Sequence, residues 1–192
     1  LLWNMSLCDS ILLDEKMKVG DVVTSSDGKI TRTYLKNDGV CDTPAGHFEN
    51  CSVYVFDGER EGITHCETWL CAGVGIVRQI VTCSGDTKEW VLSAYQTDGK
   101  DGLLPFAAGN RWEYALATPE TDEIIERECV YEVTACDADS VTLSHMGFMA
   151  LTGYRDTWEG KMAEARYSYC KKTSSGAEIL CDVSDAMRRA EE

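Results

Sequence analysis

Val22-Val23-Thr24-Ser25-Ser26-Asp27-Gly28-Lys29-Ile30-Thr31-Arg32-Thr33-Tyr34 decides the character of the fold. Two runs rich in β-branched residues flank an Asp-Gly step. That step is a strong short-range hairpin signal, because a type I′ turn needs positive φ at both central residues. The same grammar continues downstream. Pro44-Ala45-Gly46 marks a turn before a strand over 48–56, and Asp57-Gly58 opens another before 63–70. Gly73 and Gly75 separate that strand from 76–83. Ser84-Gly85-Asp86 closes the latter before 90–95. Short strands at hairpin spacing predict an antiparallel meander.

Asp98-Gly99-Lys100-Asp101-Gly102 is the clearest internal boundary. It divides an antiparallel β module, 1–98, from a second, shorter β unit with C-terminal helices, 99–192, and the two can share one sheet. A strand is expected over 111–117. Residues 128–136 alternate, with Cys129, Tyr131, Val133 and Ala135 on one face and Glu128, Val130, Glu132 and Thr134 on the other. This strand turns at Asp137-Ala138-Asp139-Ser140 into 141–149. For Val141 and Leu143 to share a face with Val133 and Ala135, the connection needs an odd residue count, since a one-residue slip flips every side chain. A short echo links the halves: Lys18-Val19-Gly20-Asp21-Val22 resembles Ala107-Ala108-Gly109-Asn110-Arg111-Trp112.

From residue 153 onward the period changes. Trp158, Met162, Ala165 and Tyr169 fit one helical stripe. Ser175-Gly176-Ala177-Glu178 has the pattern of a capping box, ahead of Ile179, Leu180, Val183, Ala186, Met187 and Ala190 at helical spacing. Arg188-Arg189 suits the negative end of a helix dipole. The expected fold class is α+β, a predominantly antiparallel sheet with two C-terminal helices packed on it or beside it. Leu1, Met5, Cys8 and Leu12 fit a further helix, which Lys18-Val19-Gly20 ends or converts to a strand.

The 192 residues carry 18 Lys+Arg against 33 Asp+Glu, a net charge of −15. Such a chain repels phosphate and shows no basic stripe, which excludes nucleic acid as a partner. No apolar run approaches the roughly 20 residues of a membrane-spanning helix. The opening Leu1-Leu2-Trp3 lacks the basic region and cleavage site of a signal peptide, and reads as a processed start or a piece of a longer protein. The 10 Cys form no Cys-x-x-Cys pair, which removes zinc ribbons and thioredoxin-type motifs. Several Cys lie in apolar strand patterns, where a free thiol acts as a small hydrophobe, so reduced thiols are expected over bridges. Cys41 and Cys51 flank a turn and are the first pair to test for a bridge.

Site chemistry is sparse. Alternation puts His65 and Glu67 on one face and Cys66 on the other, so no Cys–His nucleophile forms there. His47, His65 and His145 have no ligand-like spacing. Asp137 and Asp139 lack the Gly and terminal Glu of a calcium loop and read as turn residues. There is no phosphate-binding Gly loop and no Gly-x-Ser-x-Gly. No catalytic residue, metal site or cofactor is expected. Trp112, Tyr114, Trp158, Met162 and Tyr169 are candidate lining residues of an apolar pocket between the sheet and a helix. The competing reading makes the tail aromatics core filling.

Four stretches resemble a bacterial family of β-rich domains. Thr43-Pro44-Ala45-Gly46-His47-Phe48-Glu49-Asn50-Cys51 is similar to its TPAGTFxNC segment, and Ala72-Gly73-Val74-Gly75-Ile76-Val77-Arg78 to its APGVGLVK segment. Gly102-Leu103-Leu104-Pro105-Phe106 with Gly109-Asn110-Arg111-Trp112-Glu113-Tyr114 is similar to its GYLPLxxGNxWEY opening, and Lys18-Val19-Gly20-Asp21 to a weaker form of it. Ala72 replaces the family proline, Leu103 replaces its aromatic, and the tail from Gly153 has no counterpart. The resemblance implies a curved antiparallel sheet akin to lipoprotein-carrier half-barrels, an envelope or secreted location, and no catalytic residues. Cysteine usage implies a reducing cytoplasm instead. The expected function is a non-catalytic structural or interaction module of a larger bacterial protein, with a protein partner. The alternative is a carrier or sensor of an apolar small molecule held between the concave sheet and the C-terminal helix. A hydrolase-type enzyme ranks last.

Overall fold

The Ser25 N–H bonds the Ile30 carbonyl at 2.9 Å and closes the hairpin around Asp27-Gly28. Asp27 Oδ1 accepts from the Ser25 hydroxyl at 2.6 Å and the Lys29 N–H at 3.1 Å, while Gly28 takes φ 72°. The computed structural model describes residues 13–14, 16–25, 27–60, 62–98, 102–117, 124–137, 140–149, 152–163, 166–172 and 178–179. Side chains are described within 16–144, apart from 60, 124–129 and 140.

Thirteen strands are described: β1 (Leu13–Asp14), β2 (Val22–Thr24), β3 (Ile30–Thr43), β4 (Gly46–Arg60), β5 (Ile63–Cys71), β6 (Gly75–Cys83), β7 (Asp86–Gln96), β8 (Arg111–Ala117), β9 (Ile124–Cys136), β10 (Ser140–Met149), β11 (Thr152–Ala163), β12 (Arg166–Lys172) and β13 (Glu178–Ile179). All belong to one sheet of order β1-β12-β11-β10-β9-β8-β7-β6-β5-β4-β3-β2, with β13 pairing β11. From β2 to β12 every strand pairs antiparallel with its sequence neighbour, and the sheet runs unbroken from β7 to β8.

The α+β expectation is corrected to an all-β sheet among the described residues. The stretch expected as the first helix is β11 and β12, which pair from Trp158↔Lys172 to Ala163↔Arg166. The physical reason is an ambiguity of period. Positions four apart, such as 158 and 162, share a face in a strand as well as in a helix. Cross-strand pairing to β10, from Ser140↔Lys161 to Met149↔Thr152, then decides for the strand. The second expected helix lies outside the described residues except Glu178–Ile179, a strand opposite Tyr154–Arg155. The expected N-terminal helix over Leu1 to Leu12 also lies outside them.

The sheet is bent. Between Asp14 of β1 and Val22 of β2 lie only residues 15–21, which extended reach about 28 Å. A flat sheet would hold those opposite edges about 53 Å apart at about 4.8 Å per strand. The edges must therefore curl toward each other, and Met17 in the connection packs against the main core. A second bend lies in the long β3–β4 hairpin. Its register shifts between Tyr34 and Lys36, Lys36 and Gly39, and Gly39 and Cys41, and Asn50 takes φ 55°. Bulges of this kind sharpen local twist. The distal half folds back toward β6 and β7. There Lys36 Nζ sits 4.5 Å from the Trp69 ring, Phe48 meets Tyr95, and the Ala45 N–H bonds the Leu92 carbonyl at 3.1 Å.

Both sheet faces are therefore used. One carries Tyr34, Tyr54, Leu92, Trp112, Tyr114, Tyr131, Val133 and Leu143, all buried. The other carries Val53, Trp69, Val91 and Ala115, also buried. One face expectation is corrected. Cys136 pairs with Val141, leaving an even residue count between them, and a bulge between Thr142 and Leu143 supplies the odd residue. Val133 and Leu143 thus share the core face, while Ala135 pairs with Thr142 and is exposed. Val130, on the face opposite Tyr131, is buried as well.

Candidate functional site

Two of the four motif stretches, 72–78 and 102–114, converge on one corner of the sheet. The Ala72-Gly73-Val74-Gly75 turn, the loop before β8 and the start of β8 meet there. Trp112 Nε1–H donates to the Val74 carbonyl at 2.5 Å, and the Tyr114 hydroxyl donates to the Ile76 carbonyl at 2.9 Å. The Gly73 N–H bonds the Gly102 carbonyl at 2.9 Å, and the Thr97 hydroxyl bonds the Gly73 carbonyl at 3.0 Å. A Cβ on Gly75 would lie 3.2 Å from Trp112 Nε1, so the indole and the turn backbone are in close approach. Buried Asn110 joins the loop from the other side. Its Nδ2 donates to the Pro105 carbonyl at 2.6 Å and to Asp98 Oδ1 at 3.2 Å, and its Oδ1 accepts from the Asp98 N–H at 2.9 Å. Phe106 packs edge-on against Trp112 at 6.2 Å.

This corner places two of the five pocket candidates. Trp112 and Tyr114 are fully buried, and their polar atoms bond to backbone carbonyls. Buried aromatics whose N–H and O–H groups are satisfied this way are core. Trp158 and Met162 fall on β11 and Tyr169 on β12; their side chains lie outside the described residues. The helix expected to carry these three residues is instead the strand pair β11–β12.

The titratable groups divide by face as alternation requires. Cys66 is buried among Ile30, Phe56, Ile63 and Val81, and burial pushes its thiol up to about 11. His65 Nδ1 lies 2.7 Å from Asp57 Oδ1, and Glu67 accepts from Trp69 Nε1–H at 2.5 Å. His47 at the hairpin tip sits between Asp42, 2.6 Å from Nδ1, and Glu49, 3.4 Å from Nε2. The hydrogen bond to Asp42, then that to Glu49, raises its pKa above the ordinary histidine value. The side chain of His145 lies outside the described residues. No group of three His, Cys, Asp or Glu among the described residues is arranged to hold a metal ion.

Three thiols come together where the long hairpin bends. Cys51 neighbours both Cys71 and Cys41, and its thiol is pushed up to about 12 by burial first and by Cys71 second. Burial also raises Cys41, against the lowering effect of Arg78. Sequence spacing singled out Cys41 and Cys51. Yet Cys51 pairs with Gly39, and Cys41 with Phe48. On the other side of β4 the pairing with β5 reaches Ser52↔Leu70, which brings Cys51 and Cys71 to neighbouring positions at the end of that ladder. That partner was not visible in the sequence, because it depends on the β4–β5 register. All six cysteines with described side chains, 41, 51, 66, 71, 83 and 136, are free thiols.

No family model, curated protein or solved structure matches this chain. The resemblance to the bacterial β-rich family rests on the quoted motif residues alone.

Proposed function

We propose that this chain is a non-catalytic interaction module of a larger bacterial protein, and that it engages its partner by strand addition at β2. One observation carries the reading. β8 leaves the Gly109 turn flanked by β7 and β9, whereas β2 leaves the equivalent Gly20 turn and, among the described residues, pairs with β3 alone. Val22 and Val23 point to opposite faces of this edge and are 58% and 53% exposed, with Leu35 beside them at 49%. Edge strands are usually blunted by charge or proline, and an open apolar edge is a template for an added strand. Trp112 and Tyr114, two of the five pocket candidates, are buried in the main core.

The test compares wild type with a Val22→Lys/Val23→Lys double variant. A protein captured by the wild type and lost from the variant supports the reading. Equal capture by both removes it. Native against denaturing intact mass addresses the alternative, because a mass excess lost on denaturation identifies a carried small molecule.

A further inference from the structure

We infer that Cys51 and Cys71 form a reversible cross-strand disulfide, a redox modification site that staples β4 to β5 beneath the folded-over hairpin. The register sets the geometry. Ser52 pairs with Leu70, so the preceding residue of β4 and the following residue of β5 come to neighbouring positions at the end of that ladder. Directly opposed residues of an antiparallel pair have Cα atoms about 4.5–5.5 Å apart, inside the range a disulfide spans. By alternation both residues fall on the face that carries Val53 and Trp69, and Cys71 is near enough to raise the Cys51 thiol. Cys71 is only part-buried, with Sγ 3.4 Å from the Glu49 carbonyl, whereas Cys51 is wholly buried. Access thus assigns the order of events. Cys41 is close but displaced along the neighbouring strand, since it pairs with Phe48.

The oxidant class is a small-molecule disulfide such as oxidised glutathione. The Cys71 thiolate attacks one sulfur, giving a protein–glutathione mixed disulfide and releasing one glutathione thiolate. Cys51 then loses its proton to solvent and attacks Cys71 Sγ, displacing the second glutathione thiolate. The protein dithiol is oxidised by two electrons, and one glutathione disulfide becomes two glutathione molecules once both thiolates are protonated. Burial raises the Cys51 thiol and holds it protonated, so Cys71 rather than Cys51 is the group that meets the oxidant first.

The experiment uses the full chain, reduced, freed of reductant and equilibrated with defined ratios of reduced to oxidised glutathione. Remaining thiols are then blocked with N-ethylmaleimide. Trypsin with Glu-C cleaves after Glu49 and Glu67, which separates Cys51 from Cys41 and Cys71 from Cys66. The expected result is one linked peptide pair holding Cys51 and Cys71, abolished by dithiothreitol, lost in Cys71→Ser and retained in Cys41→Ser. Tm should rise on oxidation by about 5–10 °C, from closure of a loop of this length. A Cys41–Cys51 link, a glutathione adduct that persists on Cys71, or two unmodified thiols across the full range of ratios would each overturn the proposal.

Discussion

Gly20 and Gly109 occupy the same turn in the two halves of the sheet. Their φ angles are 93° and 92°. The N–H of Gly20 bonds the Tyr34 carbonyl at 2.8 Å, and that of Gly109 bonds the Val133 carbonyl at 2.8 Å. The next residue, Asp21 or Asn110, closes the turn back to Lys18 or Ala107 and accepts from the Tyr34 or Val133 N–H. Each turn thus ties the start of one strand to its hairpin partner by a reciprocal pair of backbone bonds.

At neither glycine does any atom lie within 4 Å of the place a Cβ would take, so conformation alone sets the cost of a side chain there. Gly20→Ala and Gly109→Ala should each destabilise by about 1–2 kcal/mol, the cost of a left-handed L-residue. Gly39→Ala is the contrasting case. Its Cβ would lie 2.8 Å from the Trp69 ring and 3.0 Å from the Cys51 carbonyl, an overpacking cost of about 1–3 kcal/mol. Urea unfolding of the three variants checks both magnitudes. Unequal values for the first pair would break the equivalence of the turns.

Tyr114→Phe removes the hydroxyl that bonds the Ile76 carbonyl inside the core and should cost about 1–2 kcal/mol. Trp112→Ala also empties the corner between Phe106 and the Gly75 turn, and should cost about 3–5 kcal/mol. A loss below about 1 kcal/mol for Trp112→Ala in denaturant titration would contradict its placement as core.

Asn110→Ala leaves the buried Pro105 carbonyl without its donor and frees the Asp98 backbone, at about 2–3 kcal/mol. Hydrogen exchange should accelerate first in the loop before β8. Uniform acceleration across all strands would instead mean that Asn110 supports the whole sheet.

The thiols predict alkaline sensitivity. Cys51 and Cys66 are pushed up to about 12 and about 11 from an ordinary thiol value of 9.0, both chiefly by burial. Above about pH 9 the unfolded chain releases protons that the folded chain retains, so the unfolded state binds fewer protons and stability falls as pH rises. Tm should be flat on this account below about pH 8 and drop between about pH 9 and 11. Cys66→Ala should shallow that drop, which a thermal scan at each pH measures.

His47 should titrate above an ordinary histidine, and Asp42→Asn should bring it down, because the hydrogen bond to Asp42 is the largest cause of its shift. Its contribution to folding is present below the ordinary histidine value and lost as pH rises through the raised one. Imidazole proton shifts followed against pH measure both. An unchanged midpoint in Asp42→Asn would remove the pairing.

The sequence by itself located a strand at each of β2 to β10, because Gly, Pro, Asp or Ser turn chemistry acts over a few residues, but it did not show that β3 runs on through 35–43 or that β9 starts at Ile124. It also contained the Gly20 and Gly109 echo, which the turns reproduce bond for bond. Tertiary structure alone decided three things. The tail adopts strands where it is described, since positions four apart satisfy both periods and only pairing with β10 separates them. Ala135 turns outward because a bulge at the β9–β10 pairing changes parity. Cys51 neighbours Cys71 as well as Cys41 because partners across a sheet are chosen by register, which is set by long-range pairing and leaves no trace in the spacing along the chain.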